Sequence, residues 1–196
     1  MTKRIFILDG HPGARSLSRS LAEAYGEAAR EAGHEVRMTH LHDLSFDGDR
    51  GRAGYAHAKP LEPVLEEEVL QHLEWCEHLV LATPLWWGGL PAKLKGLIDR
   101  SFLPGRVFDT DVPEGRMPKP LLTGRSARVL ITSDTPGWFM RLAYRNAVLW
   151  QLRGQILGFV GFKPTRFSQF AGASDPAPGT VEGWLRTARK LGTRAI

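Results

Sequence analysis

Three stretches of the chain are apolar on consecutive residues instead of alternating: Ile5 to Leu8, His78 to Thr83 and Val129 to Thr132. Strands covered on both faces have that pattern, because every side chain meets a packed layer whichever way it points. These are expected to be central strands. Glu35 to Leu41 and Thr165 to Phe170 mix apolar with polar positions, and in the first Val36 and Met38 alternate with Glu35, Arg37 and Thr39. Half-exposed strands at the sheet edges are expected there.

Between the strands the apolar positions recur every three or four residues, the spacing of one buried helical stripe. Leu17, Leu21, Tyr25 and Ala28 form the first stripe, and Leu61, Leu65, Val69 and Leu73 the second. Leu90, Leu94, Leu97, Ile98 and Phe102 form the third, and Phe139, Leu142, Ala143, Trp150 and Leu157 the fourth, read as one helix. Gly33 closes the first helix, Pro91 stands in the first turn of the third, and Thr180 opens a last helix through Trp184 and Leu185.

Strands and helices therefore alternate, and parallel neighbours joined by right-handed helical crossovers follow. The expected fold is α/β and flavodoxin-like: a five-stranded parallel sheet in the order 2-1-3-4-5 with helices on both faces, because that order puts the two polar strands at the edges. At 196 residues a single domain, 1 to 196, is expected. Asp47 to Pro60 and Leu103 to Arg125 are polar and rich in Gly and Pro, and read as surface excursions.

Composition narrows the partners. The formal charge of +5 favours an anionic ligand, but the basic residues are scattered with no run of five, which argues against nucleic acid. No apolar run approaches the roughly 20 residues that cross a bilayer, and four apolar residues after Arg4 are too few for a secretion signal, so a cytoplasmic protein without membrane insertion is expected. The one cysteine, Cys76, excludes an internal disulfide and reads as packing. His40 and His42 lack a third metal ligand, and Glu66, Glu67 and Glu68 read as a solvated helix face.

In an open α/β sheet ligands bind beyond the carboxyl ends of the strands where the order reverses, which selects three loops. The first, Asp9 to Ser20, runs straight into a helix, so free N–H groups and the hydroxyls of Ser16 and Ser18 converge as an anion needs, with His11 and Arg15 on the rim. The second, Thr83 to Gly96, puts Trp86 and Trp87 between Pro84 and the Gly88-Gly89 pair, flat apolar walls beside exposed N–H groups that suit a planar ring. The third, Thr132 to Trp138, is again rich in donors.

With these loops the sequence resembles the flavodoxin-like NAD(P)H:quinone oxidoreductase family. The resemblance rests on G-H-P-x3-S-x-S from Gly10, P-L-W-W-G-G-L-P-A-x-L-K-G-x-I-D-R from Pro84, and T-S-D-T-P-G-W from Thr132. It implies bound FMN or FAD, with His11, Ser16, Leu17 and Ser18 at the phosphate and Pro84, Leu85, Trp86, Trp87 and Gly88 along the isoalloxazine. Thr132, Ser133 and Asp134 would lie near the ring's other edge. NADH or NADPH as co-substrate, a quinone-like acceptor reduced by ping-pong hydride transfer, and a homodimer in which Leu103 to Arg125 reaches the partner's site are further implications.

The third loop departs from the pattern. The better-known quinone reductases resemble T-T-G-G there, followed by a tyrosine and a histidine; this chain has Asp134-Thr135-Pro136 and then Trp138, so no catalytic acid or base carries over. Arg15 and Arg106 are candidates for attracting the anionic nucleotide, and Trp138 for stacking on its nicotinamide. Two other resemblances imply different roles: the flavin-binding regulatory subunits of potassium efflux systems, and the flavodoxin-type electron carriers, which look acidic where this chain is basic.

Overall fold

The structure is a computed structural model describing residues 2–49 and 59–196. Most of the expected excursion from Asp47 to Pro60 lies outside the described residues.

β1 (Arg4–Asp9), β2 (Glu35–His40), β3 (His78–Pro84), β6 (Ser126–Ser133) and β7 (Thr165–Ala171) form one parallel sheet in the order β2-β1-β3-β6-β7. The expected order 2-1-3-4-5 is the observed one, counting these strands alone. Consecutive apolar residues put alternate side chains into two separate cores. Phe6, Leu8, Leu79, Leu81, Val129 and Ile131 face one. Ile5, Ile7, Val80 and Leu130 face the other. The first core is covered by α2 (residues 63–75), α3 (Ala92–Ser101) and α5 (residues 147–160); the second by α1 (Leu17–Glu31) and α6 (Thr180–Arg194). Gly192 lets α6 lie directly on α1: a Cβ there would sit 2.2 Å from the Tyr25 carbonyl oxygen.

Two readings need correction. The fourth helical stripe is broken in two: α4 (Gly137–Leu142) ends before Arg145 and Asn146, which take left-handed φ values of 49° and 53°, and α5 starts at Ala147. Two successive left-handed residues reverse the local helical sense, and Asn tolerates that region best after Gly. The segment Leu103 to Arg125 is no mere surface excursion either. It carries an antiparallel ribbon, β4 (Phe108–Asp109) with β5 (Lys119–Pro120), and buries Val107, Phe108 and Leu122 in the first core. Arg106 clamps it to α2 by donating to both carboxylate oxygens of Glu66 and of Glu74. Glu66 is therefore a structural partner, not a purely solvated one.

α2 and α5 each contain a π-type turn, over Glu66–Leu70 and Gln151–Ile156. The one in α5 requires Gly158, where a Cβ would meet the Arg153 carbonyl oxygen at 2.1 Å. Such widened turns expose backbone and shift a helix face.

At the amino end of the sheet several polar groups are buried. His78 bonds through Nδ1 to the Ser126 hydroxyl at 2.7 Å, and its Nε2 has no partner among the described residues. Burial, with Lys3 and Arg128 nearby, pushes this imidazole down to about 3, so it is neutral at pH 7. Arg128 donates to the Ile196 oxygen at 2.9 Å and to the Ser168 hydroxyl at 3.1 Å. No helix among the described residues is long and apolar enough to cross a membrane.

Candidate functional site

The three loops singled out meet at the carboxyl end of the sheet around a polar cleft of about 210 Å³. His11, Ser16, Leu17 and Ser18 form one wall, Pro84, Leu85 and Trp86 the second, and Thr132, Ser133 and Asp134 the third. Trp87 and Gly88 lie just outside, in a larger and more apolar cleft of about 520 Å³ that shares Leu85. All twelve expected residues thus fall on one continuous surface.

The first wall is organised by Asp9, buried at the end of β1. One carboxylate oxygen accepts the His11 N–H at 3.2 Å, and the other lies 3.2 Å from His40 Nδ1. Burial raises this carboxyl above the ordinary range against the opposing pull of its His40 bond. His11 Nδ1 lies 2.9 Å from the Gly13 nitrogen, whose N–H donates to it, and 3.3 Å from the Gly13 carbonyl oxygen, so the loop's own backbone holds the imidazole by this nitrogen. Ser16 is the N-cap of α1, its Oγ accepting from the Arg19 N–H at 3.0 Å. The N–H groups of Leu17 and Ser18 belong to the first turn, which has no helical acceptor. Ser18 is buried, and its hydroxyl lies 3.1 Å from the Thr132 hydroxyl, tying the start of α1 to the end of β6.

The second wall is a tight turn. Trp86 and Gly89 exchange both N–H···O bonds, at 3.0 and 2.9 Å, around Trp87 and Gly88, whose φ values are 50° and 75°. Positive φ at both central positions defines a type I′ turn, normal for Gly and costly for a large side chain such as Trp, about 1 to 3 kcal/mol. The Trp87 indole is fully exposed as a result. Trp86 packs its ring edge-on against His11, centroids 5.5 Å apart. The Leu85 N–H donates to the Thr132 carbonyl at 2.8 Å, fixing this turn to β6.

On the third wall the Asp134 carboxylate accepts from the Ser174 N–H and hydroxyl at 2.8 and 2.7 Å, which hold it below the usual carboxylate range. Its oxygens face a neighbouring loop as well as the cleft. Sequence reasoning missed Ser174 and Ala173, which follow β7 and line the same cleft. The rule that strand carboxyl ends form the site, extended to the edge strand, finds them. It also missed Met140, Tyr144, Ala147 and Val148, which line the apolar cleft because of the break between α4 and α5. Arg15 lies on the polar cleft as expected. Arg106 does not reach either cleft, being spent on Glu66 and Glu74. Trp138 stands exposed on α4, edge-on to Phe139 at 5.6 Å. His42 Nδ1 lies 3.0 Å from the Pro12 carbonyl oxygen, and Cys76 is buried with its thiol pushed up to about 12.

First-turn N–H groups, hydroxyls and an imidazole around a small polar cleft fit a phosphate group, and the adjoining apolar walls fit a planar ring. A doubly wound sheet bearing such a pair of clefts at the point of strand reversal is the architecture of the flavodoxin class, and the chain belongs to the flavodoxin-like fold family, whose sequence model matches residues 3–191. Within it the chain is similar to the FMN-dependent NADH:quinone oxidoreductase of Ruegeria pomeroyi, 32% identical over 146 residues that cover 68% of this chain and 71% of that protein. Among solved structures, the NAD(P)H:quinone oxidoreductase of Methanothermobacter marburgensis superposes with a TM-score of 0.81 at 25% identity, covering 98% of both chains. An FMN-dependent NADH-azoreductase of Bacillus anthracis, solved with FMN, shares the fold at a TM-score of 0.73 and 18% identity over 99% of both chains.

Proposed function

We propose that this protein is a cytoplasmic FMN-dependent NAD(P)H:quinone oxidoreductase that works by a ping-pong cycle as a homodimer. The observation that carries the reading is the adjacency of the phosphate-fitting cleft at the start of α1 and the apolar cleft behind the Trp86 to Gly89 turn. The names of the similar proteins support FMN over FAD and NADH or NADPH as donor. Leu103 to Arg125 is the segment we assign to the contact with the partner's cleft.

When bound, the flavin supplies a carrier that takes a hydride from the nicotinamide and delivers it to the acceptor. The chain does the rest. The Leu17 and Ser18 N–H groups, the Ser16 and Ser18 hydroxyls and the His11 imidazole would hold the phosphate, with Arg15 adding charge at the rim. The Pro84 to Gly88 segment and the Thr132 to Asp134 segment hold the ring between them. Leu85, Met140 and Val148 exclude water from the acceptor cleft, while Tyr144 and Thr135 offer hydroxyls to an acceptor carbonyl. A cleft of about 520 Å³ is large enough for a small aromatic acceptor. It favours an enzyme over an electron carrier, which needs only an exposed ring edge.

The test is anaerobic stopped-flow reduction of the purified yellow protein by NADH and NADPH, followed by mixing with a quinone. Rapid bleaching by either nucleotide and reoxidation by the quinone are expected. A protein that binds flavin and is bleached by neither nucleotide is not this enzyme.

A further inference from the structure

Asp9 and His40 are the last residues of β1 and β2 and stand opposite one another in the parallel register. Side chains in register share a face of the sheet, and this pair follows Ile7 and Met38 onto the side covered by α1. The Asp9 side chain is completely buried and the His40 side chain 16% exposed, with Oδ2 and Nδ1 3.2 Å apart. Both stand behind the polar cleft and line neither cleft.

A carboxyl group is a poor fit to that position on two counts. Burial penalises its charge, and the loop that begins at Gly10 runs into the anion-fitting start of α1, where a second negative charge opposes the ligand. What the group supplies is a grip on the loop. Its other oxygen takes the His11 N–H at 3.2 Å, two residues on, which turns the chain as it leaves the strand. Side chains from two further elements hold the rest of the loop. The Ala14 carbonyl accepts from Arg19 of α1 at 3.2 Å, and the Pro12 carbonyl, which can only accept, lies 3.0 Å from His42 Nδ1. Lys93, in the first turn of α3, donates to the His42 carbonyl at 3.4 Å, so the grip extends to the helix that follows the Trp86 to Gly89 turn. A loop already held in its bound shape loses less freedom when a ligand arrives, and that saving appears as affinity. His40 and His42 thus give the end of β2 a part in a site to which it contributes no wall.

We propose that His40 is a positioning residue for the flavin phosphate: through Asp9 it holds the Gly10 to Ala14 loop in the shape that presents His11 to the ligand, with His42 steadying the same loop at Pro12. This deepens the quinone reductase reading and rests on its placement of the phosphate.

The test compares FMN with riboflavin, which has the same ring and no phosphate, by fluorimetric titration of the flavin-free protein. Wild type should bind FMN far more tightly than riboflavin. His40→Leu removes the partner of a buried carboxyl group and should weaken FMN about tenfold while riboflavin is unchanged. His40→Asn, whose amide offers a donor or an acceptor near the place of Nδ1, should stay within about threefold of wild type. With Asp9→Asn already in place, the His40→Leu loss should shrink below about threefold, because the two side chains act through one contact. His42→Ala, at an exposed position, should cost about threefold for FMN and nothing for riboflavin. Hydrogen exchange at the His11 amide of the flavin-free protein should be faster in His40→Leu and restored in His40→Asn.

Equal weakening of FMN and riboflavin by His40→Leu would show general damage to the fold and overturns the proposal. So does FMN affinity that neither His40→Leu nor His42→Ala changes, or a His40→Leu loss that persists in full beside Asp9→Asn. Equal binding of FMN and riboflavin by the wild type would instead remove the phosphate reading, and exchange at His11 would still decide whether His40 positions the loop.

Discussion

At the carboxyl end of the sheet, the buried polar side chains Asp9, Ser18 and Thr132 all have partners, and the donors left over at the start of α1 border an open cleft. At the amino end, His78 is equally buried, yet its Nε2 has no partner among the described residues and its neighbours are cations. The same strands run through both ends. The difference teaches that polar burial is stabilising in service of a ligand only where spare hydrogen-bonding capacity points into solvent; where it points into the core it becomes a titration liability.

The largest expected effect tests the ligand half of that comparison. Ser16→Ala combined with Ser18→Ala should weaken FMN binding by about a hundredfold or more, each hydroxyl bond to a charged phosphate being worth ~1.5 to 3 kcal/mol. Fluorimetric titration of the apoprotein reads it, and wild-type affinity in the double variant would detach the phosphate from this cleft.

The second tests the other end. His78 is neutral when folded down to about pH 3, whereas its unfolded form takes a proton below about 6.5, so stability is lost as the pH falls through that window. The loss from this one group is about 2 kcal/mol at pH 5. Urea unfolding across pH 7 to 4 should show a slope that His78→Asn reduces, whatever that variant does to stability at pH 7; an unchanged slope would mean that the imidazole is already solvated.

Third, Trp87→Asn keeps the left-handed backbone and suits it better, so the fold should gain about 1 kcal/mol while quinone turnover falls. Thermal melting and steady-state assays are read together, and a gain in both would mean that the strained turn does nothing for the acceptor.

The smallest effect has the opposite sign to that of His78. The raised Asp9 carboxyl costs stability as the pH rises above the ordinary aspartate value of 3.8. Asp9→Asn, which keeps an acceptor for the His11 N–H, should therefore gain on wild type at pH 7 relative to pH 3 in the same unfolding series. If the gain is absent, His40 already compensates the buried charge.

The strands and their order were legible because Ile5 to Leu8, His78 to Thr83 and Val129 to Thr132 had to be apolar on both faces, a constraint written locally. The loops of the site were legible for a related reason: Ser16, Trp86 and Thr132 belong to the segments at the carboxyl ends of β1, β3 and β6, so topology alone places them together. Less local features stayed hidden. The break at Arg145 and Asn146 carries no Gly or Pro, only an Asn, and the β4 and β5 ribbon has two residues per strand. The partners of Arg106 lie 32 and 40 residues away, a pairing that no spacing announces. The acceptor cleft depends on the first of these, the break between α4 and α5, which is why Tyr144 and Val148 were found only in three dimensions.

The contact of α6 on α1 at Gly192 also sets a timetable for the growing chain. α1 is made early, and the helix that covers it is made about 150 residues later, roughly 10 to 30 s at ordinary rates of synthesis. Throughout that interval Leu21 and Tyr25 lack one side of their final enclosure. The nascent protein therefore presents an unfinished apolar layer to its surroundings, and the ribosome's neighbours, chaperones above all, meet that layer before any cofactor can.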